Sequence, residues 1–134
     1  MNNAVRIILG LLAGIIAGML VNSGIVSLSG KIIPLPDGID PNDMESLKEN
    51  IHLFEAKHYI MPFLAHALGT LVGAFVAAKI VLNNKMKVAM VIGIFFLAGG
   101  VTAAYMLGTP WLPNALDLVF AYIPMAVLGK RLAD

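Results

Sequence analysis

No cysteine occurs in this chain, which removes disulfides, thiolate nucleophiles and thiolate metal ligands together. Charge is also scarce: of 134 residues only 13% are charged, and the net charge is +1. A soluble domain carries about a quarter of its residues as charges. With so small a net charge and no basic groove interleaved with aromatics, general attraction to nucleic acid is excluded. Histidine occurs three times. His52 and His58 lie six residues apart, not at the i, i+4 spacing of a helical zinc pair. Together with Glu49 and Glu55 they offer the one mononuclear metal set in the sequence, but a charged, exposed helix face accounts for the same four residues. There is no GxSxG element, no Walker loop and no pair of intramembrane aspartates. We therefore expect no enzyme, no cofactor and no resident metal.

What the chain has is apolar length. Hydrophobic residues make up 59% of it, its mean hydropathy is +0.86, and its charges are segregated between long uncharged runs. A spanning helix needs about 20 apolar residues. Residues 5–25, 59–78, 88–107 and 111–129 meet that length, so the expected fold is an all-α integral membrane protein, one domain over 1–134, built as a four-transmembrane-helix bundle. The fourth run carries Asp117 near its start and Pro124 inside, and a kink is expected at the proline. Arg6 precedes the first run, as in a signal peptide, but no Ala-x-Ala site follows and its glycine spacing suits a retained packing helix. Arg6, Lys79, Lys85, Lys87, Lys130 and Arg131 all fall on one side of a four-span topology. That side is expected to be cytoplasmic, with both termini on it.

The longest connection lies between the first two runs, on the opposite side. Pro34 and Pro36 make its beginning extended. Asp40 then suits an N-cap, Pro41 the first helical position, and Asp43 and Glu45 the first turns. Met44, Leu47, Ile51 and Phe54 recur at spacings of three and four, which predicts an amphipathic helix over 41–57 in this outer loop, capping the bundle rather than lying on the membrane.

Small residues form ladders of four-residue spacing: Gly10, Gly14 and Gly18 on the first helix, Gly69, Gly73 and Ala77 on the second, Gly100, Ala104 and Gly108 on the third. The direct reading is close helix packing, within one subunit or between subunits. His66 stands on the second helix on the same face as Thr70, Gly73 and Ala77. An imidazole inside an apolar helix marks a candidate site, although an interhelical hydrogen bond is the simpler account of it. Asp117 lies six residues inside Trp111, about 9 Å of helical rise, and His66 seven residues inside Tyr59, about 10 Å. Asn22 and Tyr105 fall at similar depth. A polar cluster of Asn22, His66, Tyr105 and Asp117, one from each helix, is the predicted site.

The Pro34-Leu35-Pro36-Asp37-Gly38 segment, the acidic run from Asp40 to Glu45, His66-Ala67-Leu68-Gly69 followed by Gly73, and Gly129 before a basic tail resemble a group of small, uncharacterised bacterial four-span membrane proteins. That resemblance covers most of the chain and implies a bacterial inner membrane, but it brings no activity or binding residues. The membrane-embedded glutamate of small multidrug exporters and the signatures of fluoride channels are absent. The expected function is non-enzymatic and acts through helix packing: an accessory, scaffold or lipid-contacting module, forming a homo-oligomer or joining a membrane-protein partner. A small oligomeric channel or transporter using the His66 and Asp117 layer for protons, ions or a small solute is the alternative.

Overall fold

A computed structural model describes all 134 residues, and all of its regular structure is helical. Its elements are α1 (Asn3–Ile32), α2 (Met44–Asn50), two 3₁₀ turns (Ile51–Leu53 and Ala56–Tyr59), α3 (Ile60–Ile80), α4 (Lys85–Leu107), α5 (Trp111–Phe120) and α6 (Ile123–Leu132). Four stretches are long and apolar enough to cross a membrane: α1, the second 3₁₀ turn with α3, α4, and α5 with α6.

The helix ends follow local chemistry. Asn2 caps α1 by accepting from the Ala4 N–H at 2.9 Å. Nothing in the sequence breaks α1 until Pro34, so it runs seven residues past the expected end at residue 25 and stops where Ile33 turns extended (φ −131°, ψ 90°) ahead of the proline. Ser27 and Ser29 in this extension turn their hydroxyls back onto the helix carbonyls of Ser23 and Val26. Asn84, at φ 61°, makes the left-handed residue that starts α4.

The outer-loop helix differs from expectation. It covers only Met44–Asn50, and its N-cap is Asp43, whose side chain accepts from the Glu45 N–H. Asp40 instead closes a turn with the Asn42 N–H. Beyond Leu53 the chain extends at Phe54 and restarts at Glu55, where a reciprocal cap takes over: Glu55 accepts from the His58 backbone, and His58 Nδ1 accepts from the Glu55 N–H at 2.8 Å. His58 is thereby tied into a helix start, and His52, His58, Glu49 and Glu55 do not converge as a metal-ligand group.

The fourth stretch is two helices rather than one kinked helix. Pro124 has no N–H to donate to Phe120, and its ring crowds that carbonyl. The chain breaks at Ala121 and Tyr122, and α6 restarts with Pro124 in its first turn.

α3 is the hub, with α1, α4 and α6 packed on it. Its buried positions are mostly alanine and glycine, which lets the neighbouring backbones come close. At one end Ala74, Ala77, Val81, Val88, Ala89, Ile92 and Ala126 form a closed core, backed by Ile7, Leu11 and Ile15 of α1. This end also carries six of the nine lysines and arginines. The Arg6 guanidinium donates to the Ile80 carbonyl at the end of α3, and Lys85 donates to the Ala133 carbonyl after α6, cations placed where helix dipoles favour them. The opposite end carries the long loop.

Glycine packing runs mainly along the α1–α3 seam. A Cβ at Gly14 would stand 2.6 Å from the Gly73 carbonyl oxygen, one at Gly18 2.7 Å from that of Gly69, and one at Gly10 3.1 Å from that of Ala77. Gly69 and Gly73 face the same seam from the other side. Gly93 and Gly129, which no ladder singled out, are just as tightly faced by α6 and α3. Gly108 is the exception to the predicted packing set. It has open space around it and serves as the left-handed C-cap of α4 (φ 67°), its N–H bonded to the Ala104 carbonyl at 3.0 Å.

Candidate functional site

His66 comes from the second turn of α3, held by a helix whose small residues bring its neighbours close. Thr70, one turn on and almost fully buried, donates its hydroxyl to the His66 carbonyl at 2.8 Å. The ring's Nδ1 lies 2.8 Å from Asp117 Oδ1 on α5. An ionised carboxylate only accepts, so with Asp117 ionised Nδ1 carries the hydrogen of this pair. The second carboxylate oxygen, Oδ2, accepts from the Tyr122 hydroxyl at 3.1 Å. The Tyr122 ring in turn stacks on His66, with centroids 5.8 Å apart and planes 25° from parallel.

Tyr122 is the member of this trio that the sequence did not reveal. On an unbroken helix it would stand about 140° around from Asp117. The break at Ala121 and Tyr122 brings the phenol back to the carboxylate. Pro124, two residues on, was the available signal, since it locates the break beside a tyrosine whose hydroxyl needs a partner if buried. Gly100 makes the room: a Cβ there would fall on the Tyr122 hydroxyl and 2.5 Å from its Cζ.

The other two predicted members fare differently. Asn22 sits on α1 beside the same groove as His66, close to Gly69, but its side chain makes no hydrogen bond to the trio. Tyr105 is not in the cluster at all; it is 89% exposed. Tyr105 lies about 140° around α4 from Gly100, the residue that faces Tyr122.

Two cavities meet at His66. The larger, about 340 Å³, lies at the loop end. Its walls come from the end of α1, the outer loop, the start of α3, the end of α4 and the start of α5, and Met44, Leu47, Ile51 and Phe54 all line it. The broken loop segment therefore still turns its apolar stripe onto the bundle. The smaller cavity, about 210 Å³, runs between α1, α3 and α4 past Asn22, Thr70 and Tyr122. His66, Gly100 and Ala103 line both. The side chains of His66 and Asp117 retain 30% and 18% of their exposure, so the pair is reachable from these spaces. Beyond it, toward the basic end, stands the closed apolar core. Chemically the site offers a carboxylate in contact with an imidazole and a phenol hydroxyl, with the Thr70 hydroxyl one turn along α3. Comparison with known protein families, with curated proteins and with solved structures finds no match to the chain.

Proposed function

We propose that the chain is an integral, multi-pass protein of a bacterial inner membrane that holds a small ligand, without chemical turnover, at a site entered from the outer face. Four long apolar helical stretches support the spanning architecture. So does the inside-out distribution of side chains: alanine and glycine fill the core, while Ile8, Leu12, Ile16 and Leu20 of α1 face outward, as lipid contact favours. Lysines and arginines at one end support cytoplasmic termini. The observation that carries the binding reading is the His66–Asp117 contact on the wall of the loop-end cavity, backed by the Tyr122 hydroxyl, above a bundle closed at its basic end.

That geometry favours a dead-ended site over a pore through one subunit. It also leaves less room for a role resting on helix packing alone, because the glycine seams are occupied within the chain. A homo-oligomer or membrane-protein partner would dock on the outward apolar faces of α1 or α4, with membrane lipids covering the remainder.

The absence of cysteine gives a clean background for single-cysteine labelling. In oriented membranes a membrane-impermeant maleimide added outside is expected to label Ala103→Cys, on the cavity wall. It should not label Asn83→Cys, in the basic-end turn, until the membrane is opened, and Ala89→Cys in the closed core should resist from both sides. A silent Ala103→Cys would remove the outer entrance. External labelling of Asn83→Cys would reverse the topology, and labelling of Ala89→Cys would replace the dead end with a through path.

A further inference from the structure

We propose that the loop-end cavity takes a lipophilic organic monocation, a protonated amine on an apolar body, with Asp117 as its counter-ion. This rests on the outer binding site proposed above and names its ligand class.

The charge inventory of the cavity is one-sided. Its walls hold no lysine and no arginine, and Asp117 is their single carboxylate. The groups that hold that carboxylate are the Tyr122 hydroxyl and the ring Nδ1 of His66. They satisfy one lone pair on each oxygen and leave the others open. No lysine or arginine meets this carboxylate in a largely apolar chamber, and a cationic ligand gives it the partner it lacks there. A phosphate headgroup or a fatty acid would bring a second negative charge to a wall with no cation to meet it.

The remaining walls suit the rest of such a molecule. Phe54, Tyr59 and Phe63 line the chamber, and aromatic faces attract organic cations as well as apolar bodies. At about 340 Å³ the space is at the small end of the usual ligand-pocket range of about 300–1,000 Å³. That favours a single ring on a short chain over a two-tailed lipid. His66 is a positioning residue here: its Nδ1 fixes the carboxylate, and it lines both this chamber and the smaller one.

The test compares three probes with one body and different heads: 4-phenylbutylammonium, 4-phenylbutanol and 4-phenylbutanoate. Each is titrated calorimetrically into the full chain in phosphatidylcholine nanodiscs, with protein-free discs as blank. The ammonium is expected to bind about tenfold or more tighter than the alcohol, with the carboxylate weakest. Asp117→Asn, which keeps the shape and one of the two accepting oxygens, should bring ammonium and alcohol within about threefold of each other. Ala103→Leu, which fills the chamber without touching the trio's hydrogen bonds, should weaken all three. Equal binding of ammonium and alcohol to the native chain overturns the proposal, as does an undiminished preference in Asp117→Asn. If no probe binds while Ala103→Cys is still labelled from outside, the cation assignment falls and the outer site stands; if that labelling also fails, both fall.

Discussion

Asp117 holds the cluster together, because both of its oxygens are in use and each reaches a different part of the fold: Oδ1 meets His66 on α3, and Oδ2 meets Tyr122 at the break before α6. Interhelical hydrogen bonds of this kind contribute about 0.6–2 kcal/mol each. Tyr122→Phe leaves a buried acceptor unsatisfied and should cost about 1 kcal/mol, and Asp117→Asn should cost a similar amount. Because they share one bond, the double variant should lose less than the sum of the two by about 0.5 kcal/mol or more. Unfolding measured by denaturant in mixed micelles checks this, and strictly additive losses would contradict the shared bond. At this scale the sequence made His66 and Asp117 legible, since depth along a helix follows from counting residues. It could not place Tyr105 or Tyr122 correctly, because azimuth depends on where a helix breaks and on which face packs inward.

The elements are where glycine spacing has its effect. Along α1 the ladder matters only where α3 lies against it: a Cβ at Gly14 would meet the Gly73 oxygen at 2.6 Å and Ala77 Cβ at 2.9 Å, whereas one at Gly24 meets nothing within 4 Å. Gly14→Ala should therefore destabilise the bundle by about 1–3 kcal/mol through overpacking. Gly24→Ala should be neutral or slightly stabilising, through higher helix propensity. Thermal unfolding of the two variants side by side checks the contrast, and equal effects would contradict the seam. Much of this level was legible: four apolar stretches fall where hydropathy put them, and Met44, Leu47, Ile51 and Phe54 all line one cavity. The outer helix was not, because the Glu55–His58 reciprocal cap starts a new turn where apolar periodicity alone continues the old one. The extension of α1 to Ile32 was missed for the opposite reason: its serines and glycine lower hydropathy without breaking a helix.

Across the whole molecule, two ends of one bundle have different characters. The basic end is sealed by alanines, Val81 and Ile92 and tied by Arg6 and Lys85 to helix C-termini. The loop end is hollow, covered by the connection between α1 and α3, and floored by the only ion-pair-capable contact between helices in the chain. Hydropathy and charge placement anticipated two unlike ends, whereas the hollow one required knowing that α4 turns Gly100 and Ala103 inward. The account stands on the His66–Asp117 contact persisting in a bilayer. The most direct measurement is a solid-state NMR dipolar coupling between His66 ¹⁵Nδ1 and Asp117 ¹³Cγ in lipid, with Asp117→Ala as control. A separation under about 4 Å, as a hydrogen bond to Oδ1 requires, together with a protonated Nδ1 and its loss in the control, is the predicted result. A coupling no stronger than in the control would mean that the two side chains do not meet, and the site as described would not exist.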